Sequence, residues 1–71
     1  MKKRSKEILE VIKTYMTEHE YSPSIPEICA LTGITSNSIV NWYLEDLEFE
    51  GYIERDRRLS RAMFVLPKGH S

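Results

Sequence analysis

The chain has 71 residues, 30% of them charged, with a formal net charge of −1 and a single cysteine. That length makes one domain, buries only about 60% of the surface its unfolded chain exposes, and leaves no room for a deep cleft with a catalytic shell. One cysteine excludes an internal disulfide and a cysteine-based zinc set, no apolar run approaches membrane-spanning length, and no signal-peptide core follows the basic start.

From Ser5 to about Glu18, Ile8, Leu9, Val11, Ile12, Tyr15 and Met16 recur at three- and four-residue steps. This spacing predicts an amphipathic helix with a broad buried stripe, Ser5 serving as its N-cap. Pro23 disfavours helix in the residue before it, so the segment 19–23 breaks the run. Ser24-Ile25-Pro26-Glu27 then has the S-x-x-E form of a capping box, with Pro26 tolerated in the first turn. A short second helix is expected to run to Thr32 with Ile25, Ile28 and Leu31 inward, ending where Gly33 can take a left-handed conformation. Cys29 reads as a small buried residue of a reducing cytoplasm, the expected location of the chain.

Ile34 should pack under the turn, and Ser36 or Thr35 should cap a third helix that continues to Glu50 before Gly51. Its simplest core stripe is Val40, Leu44 and Leu47, flanked by Tyr43, which leaves Ile39 and Trp42 at least partly exposed; the alternative, a helix phase one residue off, puts Ile39 and Tyr43 in the core. After Gly51 the period changes, and the runs 52–55 and 61–66 read as two strands joined by a polar loop. The expected architecture is mainly α with a small β-hairpin, a three-helix winged helix-turn-helix. It forms one domain over 1–71, with an ordered core of about 5–66, a basic arm over 1–4 and a frayed tail over 67–71.

The stretch 33–44 contains no charged residue. Uncharged donors and acceptors at the exposed N-terminal end of a helix suit base edges in a DNA groove. The cations lie outside it: Lys2, Lys3, Arg4 and Lys6 cluster at the start of the chain, and Arg55, Arg57, Arg58 and Arg61 share one short segment. That arrangement can hold phosphates at both ends of a neutral reader. The acids Glu45, Asp46, Glu48 and Glu50 at the end of the third helix are expected to face away from DNA.

In order and spacing these residues resemble the N-terminal DNA-binding domain of LexA-type repressors over roughly residues 6–66. The likeness runs through the helix 6–12, the approach 21–24, Glu27-Ile28, the turn 33–36, Leu44, Leu47 and Gly51-Tyr52-Ile53-Glu54. It implies that the third helix enters the major groove of double-stranded DNA while the hairpin lies along the backbone. Ser36, Ser38, Ile39, Asn41 and Trp42 correspond to the positions that would face bases. The family carries acids where this chain has Asn41 and Trp42, so the resemblance implies the fold and not the usual operator. LexA-type repressors also carry a C-terminal Ser/Lys peptidase domain that dimerises them and cleaves their own linker. These 71 residues contain no such domain, so self-cleavage is not expected of them, and a homodimer on DNA would need another surface or a partner.

The expected DNA-binding residues are therefore Thr35, Ser36, Asn37, Ser38, Ile39, Asn41 and Trp42 on the helix, with Arg55, Arg57, Arg58 and Arg61 on the wing. Asn41 has the groups for a bidentate contact with adenine, although a lone helical Asn is more often simply exposed. Ser36 has a structural role as a cap whether or not it touches phosphate. The wing arginines suit phosphate or a minor groove, and the plainer reading is a solvated edge that discourages strand pairing. The basic arm reads equally as a DNA contact and as a solubility device. Ile39 and Trp42 suit thymine methyls or a protein partner, and the competing expectation from sequence is a small module that binds another regulator or polymerase through the third helix. His19 and His70 lack ligand partners at metal spacing, and no nucleophile or phosphate-loop motif is present, so no metal, cofactor or enzymatic activity is expected.

Overall fold

The computed structural model describes residues 2–55 and 63–66, in the order α1 (Lys3–His19), α2 (Ile25–Thr32), α3 (Asn37–Phe49), β1 (Ile53–Arg55) and β2 (Met63–Val65). β1 and β2 pair antiparallel, with Ile53 opposite Val65, Glu54 opposite Phe64 and Arg55 opposite Met63. This is the three-helix, two-strand winged helix-turn-helix that the sequence predicts.

Each helix buries one stripe against the others. Ile8, Leu9 and Ile12 of α1 meet Ile28 of α2 and Val40, Leu44 and Leu47 of α3, and Ile53 and Met63 close the core from the hairpin. Val40, Leu44 and Leu47 are buried as their spacing predicts, and Ile34 and Tyr43 pack partly buried against the cluster. The strands alternate: Ile53 and Met63 point inward, whereas Glu54 and Phe64 are exposed.

The helix ends follow their local chemistry. Ser24 Oγ accepts from the Glu27 N–H at 3.3 Å, and the Ser24 N–H donates to Glu27 Oε1 at 2.7 Å, completing the capping box. Gly33 ends α2 at φ 81°, and Gly51, at φ 85°, turns the chain from α3 toward β1. Such angles are costly for any side chain with a Cβ.

Four expectations are corrected. Ser5 is not the N-cap of α1, because the helix begins at Lys3 and Lys2 occupies the cap without a side-chain hydrogen bond. Lys3 and Arg4 therefore belong to the helix rather than to an arm. Ser5 is instead fully buried, and its hydroxyl donates to Asp46 Oδ2 of α3 at 3.3 Å, which gives a buried polar atom a partner. Leu31 is 55% exposed and not part of the core. The inward face of α2 runs through Ile25, Ile28, Cys29 and Thr32, the i, i+3, i+4, i+7 pattern of a 3.6-residue helix, and a strict three-residue step drifts off it. Leu31 borders a groove of about 330 Å³ with Val11, Tyr15 and His19 of α1. Cys29 is half-buried rather than buried.

Candidate nucleic-acid interface

The turn between α2 and α3 is held by short local bonds. Thr32 Oγ1 donates to the Ile28 carbonyl at 2.8 Å and accepts from the Ile34 N–H at 3.3 Å. Ser36 caps α3, its Oγ accepting from the Ile39 N–H at 3.3 Å. Cys29 Sγ donates to Asn37 Oδ1 at 3.2 Å, so the first residue of α3 is tied back to α2. These bonds fix the angle at which α3 leaves the turn.

Thr35, Asn37, Ser38, Ile39 and Trp42 are exposed, with Ile39 at 49% and Trp42 at 50%, while Ser36 is half-buried. The outward face of the first two turns of α3 is therefore uncharged. Trp42 packs edge-on against Tyr43, ring centroids 5.0 Å apart. The Lys2 ammonium stands 4.6 Å from the centroid of the Trp42 ring and 3.7 Å from Asp46 Oδ1.

Asn41 and Arg55 are tied to each other and to acids of α3. Arg55 Nη1 donates to Asn41 Oδ1 at 3.1 Å, and Arg55 Nε donates to Glu48 Oε1 at 3.4 Å. Asn41 Nδ2 in turn donates to Glu45 Oε2 at 3.4 Å. A guanidinium only donates and a carboxylate only accepts, so both neighbours set the Asn41 amide the same way round. The Arg55 side chain is only 11% exposed. It reaches inward to brace β1 against α3 rather than outward as a free cation. Its Nη2 is enclosed with no hydrogen-bond partner among the described residues.

The acids of α3 do not share one face. Asp46 turns to α1, where it receives Ser5 and Lys2; Glu48 holds Arg55; and Glu45 lies beside Asn41. Arg57, Arg58 and Arg61 lie outside the described residues. The structure thus brings Asn41 and Arg55 together and adds Lys2, Glu45 and Glu48 to the neighbourhood. The Asn41–Glu45 pair has the i, i+4 spacing that sequence can signal. The Lys2–Trp42 and Arg55–Glu48 contacts depend on chain reversal and carry no local signal.

Residues 1–62 match the LexA DNA binding domain family. The chain is 44% identical over 64 residues to the LexA repressor of Caldicellulosiruptor saccharolyticus, covering 90% of this chain and 32% of that protein. It is 42% identical over 65 residues to the LexA repressor of Clostridium kluyveri, covering 92% and 32%. Against LexA repressor 2 of Nocardia farcinica it is 45% identical over 62 residues, covering 87% and 26%. The chain spans about a third or less of the length of these relatives.

Proposed function

This chain belongs to the LexA DNA-binding domain family, and from that premise we propose that it binds double-stranded DNA as a sequence-selective transcriptional repressor module. In this reading α3 enters the major groove and the arginine-rich hairpin lies on the phosphate backbone. One observation carries it: the exposed start of α3 offers Ser38, Ile39 and Trp42 without a charge, beside the basic beginning of α1. Hydroxyl, apolar and aromatic groups suit base edges and thymine methyls, and neighbouring cations suit phosphates.

Phosphate neutralisation supplies most of the affinity in this scheme, and α3 supplies selectivity. Asn41 adds a hydrogen-bonding group whose orientation Arg55 and Glu45 set. A single module of this kind covers about 600–1,000 Å², so useful affinity calls for two copies on two half-sites.

Selection from a random duplex pool at near-physiological salt tests the proposal. The expected result is an enriched inverted repeat whose spacing reports the geometry of the pair. A retained pool with the composition of the input overturns sequence-selective binding.

A further inference from the structure

We propose that Lys2 is a phosphate-binding residue of this interface, seated over the Trp42 ring until DNA arrives. The inference rests on the duplex-binding reading above and adds to it a residue at the opposite end of the chain from the arginine-rich hairpin. Lys2 is the cap residue of α1, yet its ammonium stands 4.6 Å above an aromatic ring on the outward side of α3. That distance lies within the range of a cation–π contact. The same ammonium is 3.7 Å from the Asp46 carboxylate, and the Lys2 side chain remains 55% exposed.

The geometry places a positive charge at the edge of the helix face that would enter the groove. The walls of a major groove are lined with phosphates, so a cation at this edge meets the backbone when Trp42 meets the bases. The two contacts that hold Lys2 are well suited to release. The ion pair is 3.7 Å long and open to solvent on the Lys2 side, with Asp46 half-buried, so salt screens it in part, and a cation–π contact at an exposed ring is weak. A backbone phosphate offers a stronger, charge-assisted hydrogen bond in their place. Meanwhile the ring and the carboxylate narrow the positions the lysine explores, which lowers the ordering cost on binding. Trp42 thus has two roles, as a surface toward the bases and as the seat of a cation.

The test is equilibrium binding of the wild-type chain, Lys2→Met and Lys2→Arg to a mixed-sequence duplex over a range of salt. Fluorescence of Trp42, the only tryptophan, is followed in parallel. Lys2→Met is expected to lower the slope of log affinity against log salt by about 0.9, the value for one phosphate contact on B-form DNA. A fourfold rise in salt then costs this variant about 3.5-fold less affinity than it costs the wild type. Lys2→Arg is expected to keep the wild-type slope, and Lys2→Met to alter Trp42 emission in the free protein while leaving the unfolding temperature unchanged. A wild-type slope in Lys2→Met, with the wild type binding normally, overturns the role of Lys2 and leaves the duplex-binding reading in place. A wild type that binds no duplex overturns both.

Discussion

Arg55 Nη1 donates to Asn41 Oδ1 across 3.1 Å, joining the first strand of the wing to the middle of α3. The same guanidinium holds Glu48, so one side chain sets both the wing angle and the Asn41 amide. Arg55→Met keeps much of the packed stem but removes both bonds. With Asn41 and Glu48 only half-buried, water can compensate them in part, and the expected loss is about 1–2 kcal/mol of unfolding free energy. Chemical denaturation of the variant measures it. The salt slope of DNA binding should not change; a fall of about 0.9 would instead make Arg55 a phosphate contact.

Arg57 and Arg58 carry the opposite expectation. If they neutralise phosphates, replacing both with Ala lowers affinity for every duplex by a similar factor and reduces the salt slope by about 1.8. Binding isotherms on a selected and an unrelated duplex make the comparison. A loss confined to the selected duplex would assign these residues to base reading.

The contrast between these arginines shows where sequence reading reaches its limit. Helices, capping box, glycine stops and the α3 stripe were legible because each depends on neighbours three or four residues apart. The uncharged start of α3 was legible as a contiguous run without charge, which needs no tertiary contact to be seen. Arg55 looked equivalent to the arginines after it, since its distinguishing partners, Glu48 and Asn41, are brought to it only by the turn at Gly51. Ser5 misled in a related way. A serine near a helix start suits a cap, but here the helix continues N-terminal to it and α3 supplies Asp46 as its partner. Lys2 over Trp42 joins residues 40 positions apart, beyond any periodicity argument.

Leu31 and Ile28 separate periodicity from burial in α2. Ile28 is fully enclosed, so Ile28→Ala should cost about 2–5 kcal/mol through lost burial and the cavity left behind. That is enough to unfold a marginal domain of this size. Leu31, 55% exposed, should tolerate Gln with a change of about 0.5 kcal/mol or less. Thermal unfolding of the two variants checks both expectations, and a large loss in Leu31→Gln would restore Leu31 to the core.

Glu20 ends α1 in the left-handed region, at φ 63°, with its N–H donating to the Met16 carbonyl at 3.0 Å. Glycine takes this conformation without the Cβ clash that costs an ordinary residue about 1–2 kcal/mol. Glycine also gives the unfolded chain more freedom, which offsets part of that relief. Glu20→Gly should therefore stabilise the domain by about 0.5–1 kcal/mol, raising the unfolding temperature by roughly 2–8 °C for a chain of this length. Glu20→Ala is the companion variant, since it removes the charge and keeps the Cβ. An equal gain from Ala would attribute the effect to charge, whereas a gain only from Gly assigns it to the backbone.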